Sequence, residues 1–209
     1  NYVVSITQDK QGFLWFATEE GLNKFDGTRF TTYYKNDLTQ DNQGITGNEL
    51  NRVYADTKHP IIWIATQRDG LNAYNYNEQT FTAYQHNPEN PHSLITNDVT
   101  DIAPSTQHDD GLWISTYYRG IEYLDITSGQ FTHYNKSTVP SLPCDQTWTV
   151  LDGGDGNLYI GHVGSGFSIF SPKDKSVKNF RNEAGNPMSL PGNDVYYKRC
   201  KWKYLVRYK

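Results

Sequence analysis

The chain has 209 residues and a net charge of -4, with 19 Lys and Arg against 23 Asp and Glu, so no charge excess suited to nucleic acid is present. No apolar run approaches the ~20 residues that cross a membrane, no basic-plus-apolar leader opens the chain, and Cys144 and Cys200 are too few for a disulfide framework. The 16 Tyr, 5 Trp and 17 Gly beside a single Met describe short β-strands joined by glycine turns, not helices.

Alternating apolar residues bounded by turn residues predict four strands in each of four successive stretches. In the first they fall at about 2–6, 13–18, 22–26 and 29–33; in the second at 50–54, 61–66, 71–74 and 80–84. The third places them at 99–102, 112–116, 121–125 and 130–134, and the looser fourth at 148–151, 158–161, 167–170 and 176–180. Between them lie polar segments such as NPENPHSL at 87–94 and NPMSL at 186–190, whose Asn-Pro steps oppose regular structure.

The four stretches are one sequence repeated. An aromatic anchor recurs as Trp15, Trp63, Trp113 and Tyr159, at intervals of 48, 50 and 46 residues. Three places later stand Thr18, Thr66, Thr116 and His162, followed by Gly21, Gly70, Gly120 and Gly166, then Phe25, Tyr74, Leu124 and Phe170. Asn48, Asn97, Asp145 and Asn193 open new units at intervals of 49, 48 and 48. Four strands in each ~40–50-residue repeat is the arithmetic of a β-propeller blade. The expectation is an all-β partial propeller of about four four-stranded blades, at 1–36, 48–86, 97–136 and 145–182, with the first strand of a fifth beginning at 193–195. Residues 196–209 break the pattern.

The pattern N-x-[VL]-x-x-[VI]-x-x-D-x-x-G-x-x-W-[IF]-x-T-x-x-G-[LI] resembles the two-component regulator propeller repeat. In this chain it reads VSITQDKQGFLWFATEEGLNKFDG, NELNRVYADTKHPIIWIATQRDGLNAY and NDVTDIAPSTQHDDGLWISTYYRGIEYLD, and the resemblance runs from Tyr2 to Val195. It implies a piece of the periplasmic sensor half of a Bacteroides-type hybrid two-component system, a transcription-regulating receptor whose kinase, membrane and DNA-binding modules lie outside this chain. Such sensors commonly read oligosaccharides. The fourth unit departs from the pattern, with Tyr159 for Trp and His162 for Thr.

No catalytic set accompanies this frame. Asp9, Asp56 and Asp152, with Asp26 and Asp125, are read as turn residues accepting backbone N–H bonds, and DGGDGN at 152–157 as a glycine-rich hairpin, not a metal loop. The six histidines, at 59, 86, 92, 108, 133 and 162, have no zinc spacing and are expected on surfaces or in loops. No nucleophile elbow or phosphate loop appears. Cofactors and metals are therefore expected to be none, and the repeat tryptophans are expected in the core.

Variation is concentrated in the turn between second and third strands, which reads EE, QRD, YYR and VGS in successive units. Loops on a fixed frame carry specificity. Arg68 and Asp69 with Tyr117, Tyr118 and Arg119 offer aromatic faces and forked donors suited to sugars and acidic groups, and are the candidate ligand-binding residues. The expected partner is an oligosaccharide or other small ligand, with self-association through exposed blades, no nucleic acid, and a membrane only through segments outside the chain. A propeller-type polysaccharide lyase or glycosidase, or a protein-docking scaffold, is the alternative.

The basic string YYKRCKWKYLVRYK at 196–209 has no repeat character. One ordinary codon choice for it, read one nucleotide later, encodes IIKDANGNIWYGT, which restores the Asp, Gly, Trp and Thr columns at the spacing of Asp9, Gly12, Trp15 and Thr18. A frameshifted tail is therefore expected, with Cys200 accidental. Sequencing the gene checks this: the displaced frame beyond codon 197 should continue a D-x-x-G-x-x-W-x-x-T unit, and any other reading there defeats it.

Overall fold

The computed structural model describes residues 2–36 and 44–196, so Cys200 and the tail beyond Tyr196 lie outside the described residues. These form sixteen strands and no helix, arranged as four antiparallel sheets of four, each in sequential order. The first holds β1 (Val3–Gln8), β2 (Leu14–Thr18), β3 (Gly21–Phe25) and β4 (Phe30–Tyr33); the second β5 (Leu50–Ala55), β6 (Ile61–Thr66), β7 (Leu71–Asn75) and β8 (Thr80–Tyr84). The third contains β9 (Val99–Pro104), β10 (Gly111–Thr116), β11 (Gly120–Asp125) and β12 (Gln130–Tyr134). The fourth contains β13 (Thr147–Asp152), β14 (Leu158–His162), β15 (Phe167–Phe170) and β16 (Val177–Phe180). Sequence alternation places all sixteen to within two residues at each end. The expected fifth unit begins at 193–195 and continues outside the described residues; within them the Val195 N–H donates to the His162 carbonyl at 3.0 Å and Val195 is buried.

The chain packs as two compact units, residues 1–102 and 103–209, with the boundary inside β9. In the first unit Trp15, Leu22, Val53, Ile62, Ile64, Tyr74 and Phe81 form one apolar cluster between the first two sheets. Trp15 stacks on Tyr33 at 5.9 Å and meets Tyr74 at 5.6 Å. In the second unit Trp113, Ile121, Val150, Leu158, Ile160 and Phe170 form the corresponding cluster. The repeat tryptophans are core residues, as their fixed strand position requires. β10 is buried along its whole length and β6 along all but its first residue, so strict alternation gives way to a continuous apolar run where both faces of a strand are covered.

One hydrogen-bonded clamp recurs where each sheet hands the chain to the next and accounts for three of the repeat columns. The N–H groups of Gly21, Gly70, Gly120 and Gly166 donate to the carbonyls of Asn48, Asn97, Asp145 and Asn193 at 2.9, 2.9, 2.8 and 2.7 Å. The side-chain oxygens of those same four residues accept the N–H groups of Lys35, His86, Lys136 and Asn182, just past each fourth strand. Thr18, Thr66 and Thr116 close the turn by donating Oγ1–H to the glycine carbonyls at 2.7–2.8 Å. Glycine is required twice over at these positions. At Gly70 φ is +93°, and a Cβ would lie 2.4 Å from the Tyr84 carbonyl oxygen.

The turn aspartates do as expected, and more. Asp9 Oδ1 accepts the N–H groups of Gln11 and Phe13 while Oδ2 accepts the Trp15 indole at 2.7 Å. Asp56 does the same for Lys58, His59 and the Trp63 indole, the last at 3.1 Å. Asp152 needs correction. Its partner across the hairpin is Leu158, as Gln8 pairs with Leu14, so it stands one residue before the Asp9 column. Gly153 takes that column, its N–H closing the turn on the Asn157 carbonyl, and Asp152 instead accepts from Thr106 N–H and Oγ1 as well as Gly154 N–H. The hairpin has the same length as the first, so here a glycine simply stands where the first two sheets have aspartate.

Two glycines separate the backbone cost from the steric one. Gly27 has φ of +100° and open space where a side chain would begin, with no atom within 4 Å of a Cβ there, whereas Gly70 carries the same sign of φ and a blocked Cβ position. Gly27→Ala should lose about 1 kcal/mol in urea unfolding and Gly70→Ala about 3 kcal/mol or more, because only the second also forces β8 away.

Candidate functional site

The turns carrying the candidate residues sit beside the clamps, so the frame holds their ends while their central side chains face solvent. In the first unit Arg68 is exposed and its charge offsets part of the upward shift that burial imposes on the Asp98 carboxyl. Asp69 is anchored. Its carboxylate meets Lys35 Nζ at 3.3 Å, its N–H donates to Thr66 Oγ1, and its carbonyl accepts from Thr46 Oγ1 and Gln85 Nε2. A Cβ at Gly47 would fall 2.2 Å from Asp69 Oδ2, so the carboxylate lies directly on that backbone. Of this pair, Arg68 is the side chain turned to solvent.

In the second unit Tyr117, Tyr118 and Arg119 occupy the β10–β11 turn, with the Arg119 N–H held by Thr116 Oγ1 at 3.2 Å. The rings of Tyr117 and Tyr118 meet edge to face at 4.1 Å. The series continues through Trp148, 5.8 Å from Tyr117, to Tyr196, 5.4 Å from Trp148, both edge to face. Tyr118 is 53% exposed and Tyr196 37%, so a run of four rings reaches solvent beside the Arg119 side chain. Such rings offer flat apolar faces with polar edges, the surface on which a pyranose stacks. The Tyr196 hydroxyl pKa is raised by burial and then by the charge of Asp194, whose Oδ1 accepts the Gly164 N–H at 2.7 Å.

Sequence reasoning missed Trp148 and Tyr196. Trp148 sits where the β13–β14 register slips between Thr147 and Thr149, and the same slip occurs at Val4 and Asn51 in the first two sheets. A bulge re-aims the residue it carries. The position reads Val4, Asn51 and Trp148 in the first strands of these sheets, so an outsized aromatic at a variable position was the signal available. Arg68 and Asp69 belong to the first unit and the aromatic series to the second, and each set is built from its own unit's turns.

His162 overturns the expectation that the histidines are surface or loop residues: it is completely buried at the end of β14. It stands in the threonine column but is too large to copy the threonine bond. Instead its Nε2 lies 2.8 Å from Ser168 Oγ, which donates to Asn179 Oδ1 at 3.1 Å. On its other side, Nδ1 lies 3.6 Å from the free, half-buried thiol of Cys144, whose S–H donates to the Gln146 carbonyl. Burial first, with Arg181 nearby, pushes the imidazole down to about 4. Among the described residues no group of three or more His, Cys, Asp or Glu could hold a metal ion.

The two-component regulator propeller family model matches residues 1–20. The solved extracellular domain of a hybrid two-component system from B. thetaiotaomicron is 68% identical, over 93% of this chain and 25% of that one, with a TM-score of 0.86. The chain belongs to the two-component regulator propeller family. A second extracellular domain from the same organism, of a one-component system, is 25% identical over 86% of this chain and 25% of that one, with a TM-score of 0.69. A GH74 enzyme of Niastella koreensis is 15% identical over 93% of this chain and 31% of that one; its TM-score of 0.58 is a likeness of fold alone. No curated protein matches the sequence. This propeller therefore spans about a quarter of the length of its two extracellular relatives. Its four sheets are propeller blades, and no helix among the described residues is long and apolar enough to cross a membrane.

The buried histidine gives a pH signature. Its folded pKa of about 4 lies below the ordinary 6.5, so the unfolded chain binds the proton first and stability is lost as pH falls from about 6.5 to 4. Unfolding free energy should drop by roughly 3 kcal/mol across that window from this group, and His162→Gln should flatten that part of the profile. NMR titration should find the His162 ring still neutral at pH 5.

Proposed function

We propose that this propeller is part of the extracytoplasmic, ligand-sensing portion of a hybrid two-component receptor, and that its ligand is an oligosaccharide. The observation that carries the reading is the 68% identity to the extracellular domain of such a system. The exposed series of Tyr118, Tyr117, Trp148 and Tyr196 beside Arg119 supports a sugar as the ligand, with Arg68 a second solvent-facing donor in the first unit. The role assigned to these residues is to hold a ligand by stacking and forked hydrogen bonds, with no bond made or broken. The periplasm is the compartment this reading requires.

Calorimetry of the chain against a panel of plant and host oligosaccharides tests the proposal. One class should bind, and Tyr118→Ala should weaken it about tenfold, as expected when a stacking aromatic is truncated. Product formation from the same panel would favour the propeller-enzyme reading instead, and no binding to any member would remove the sugar. Self-association belongs to the same proposal. Val3, Val4, Ile6 and Phe30 of the first sheet are 44–63% exposed, an apolar surface of the kind that pairs with another copy. Sedimentation should show concentration-dependent association that Ile6→Lys weakens.

A further inference from the structure

In the second unit a cleft of about 1070 Å³ opens between the third and fourth sheets. Its walls come from the β9–β10, β11–β12, β13–β14 and β15–β16 turns. In an antiparallel meander these lie at the other end of the strands from the β10–β11 turn, so the cleft is separate from the aromatic series that carries Tyr118. It is acidic: Asp109, Asp110, Asp125, Asp152 and Asp155 line it against the single ammonium of Lys173. Asp125 is held ionised, its carboxyl pKa lowered first by the Ser128 N–H, which donates to Oδ1 at 2.9 Å.

A second, independent feature lies in the same cleft. Trp113 lines it and is only 6% exposed, yet its indole N–H has no hydrogen-bond partner among the described residues. The indoles of Trp15 and Trp63 are satisfied by Asp9 and Asp56. In the third sheet Ser105 closes the turn in their place, its N–H donating to the Gly111 carbonyl, and its hydroxyl accepts from the N–H groups of Gln107 and His108. The indole N–H is thus left aimed at the end of the sheet where the cleft opens. An unmatched buried donor is rare in folded proteins and calls for an acceptor, which a ligand oxygen entering the cleft would supply. Around it, Tyr123 stands 4.9 Å and Tyr134 5.7 Å from the Trp113 ring. The Tyr123 hydroxyl rests on Gly111, where a Cβ would lie 2.3 Å away, and the charges of Asp125 and Asp110 reach that hydroxyl.

Three demands fall on an occupant. It must carry a positive charge for the carboxylates, an oxygen acceptor for the Trp113 N–H, and a ring face for the aromatic wall. The described carboxylates do not converge as metal ligands, which directs them to an organic cation. We propose that this cleft is a binding site for an amino sugar with a free amine, its ammonium among Asp109, Asp110 and Asp125, a ring or hydroxyl oxygen on the Trp113 N–H, and its ring against Tyr123. Acetylation removes the charge and adds bulk at the carboxylates, so the site discriminates against N-acetylated sugars.

Calorimetry below neutral pH with a fully deacetylated glucosamine tetramer, its N-acetylated counterpart, spermidine and calcium chloride tests this on the whole chain. The deacetylated tetramer should bind at least tenfold more tightly than the acetylated one. Asp125→Asn, which keeps an acceptor for Ser128, should weaken it about tenfold, while Tyr118→Ala, at the other end of the sheets, should leave it unchanged. Trp113→Phe should also weaken it, with thermal unfolding used to check that the core variant is folded; if it is not, Asp125→Asn alone decides. Equal binding of both tetramers, no binding, or indifference to Asp125→Asn overturns the proposal. Spermidine binding as tightly as the tetramer, or calcium binding that Asp125→Asn abolishes, overturns it as well.

Discussion

The structure depends on one repeated constraint, the clamp in which a left-handed glycine N–H meets the carbonyl of an Asn or Asp from the next connection. That residue's side chain in turn accepts the N–H just past the fourth strand. One polar side chain and one glycine thereby satisfy the backbone at three chain segments that would otherwise be left unpaired near a sheet end. Four short strands in sequence bury little on their own, and a blade is held when its end is tied to the start of its successor. The same bonds fix the ends of the turns between second and third strands, which is why their middles can vary from EE to YYR without disturbing the sheets.

A second constraint operates at the opposite ends of the strands, where a turn carboxylate receives both backbone N–H groups and the anchor indole in the first two sheets. One side chain thereby serves two backbone donors and a buried indole at once. The later sheets depart from it in different ways. Ser105 cannot reach the Trp113 indole, and in the fourth sheet a tyrosine replaces the tryptophan and donates its hydroxyl to Asp155 at 3.1 Å. Both sheets that lack the shared acceptor wall the acidic, aromatic cleft.

The frame and its exceptions divide the chemistry. Columns that hold, such as Gly, Thr and Asn, are occupied by backbone bonds, and Asp69 is tied by its backbone N–H and carbonyl while its carboxylate pairs with Lys35. Positions where the columns fail are where side chains gain other work. His162 replaces a threonine and acquires a buried polar chain through Ser168 to Asn179. Trp148 replaces smaller residues at a bulge and joins an exposed aromatic series.

The strands, their order, the repeat columns and the burial of Trp15, Trp63 and Trp113 are legible in the sequence, because periodic alternation and glycine turns are local and the repetition averages out local ambiguity. It also located the variable turns. The folded arrangement sets the surroundings of the turn residues: Arg68 and Tyr118 face solvent, while Asp69 is met by Thr46 at its carbonyl and by Lys35 at its carboxylate, from 23 and 34 positions away. It likewise placed Asp152 one residue outside the aspartate column, buried His162, and exposed the unmatched Trp113 donor. Each of these is set by partners brought together from separate strands and turns, which a pattern of residue types read along the chain does not encode.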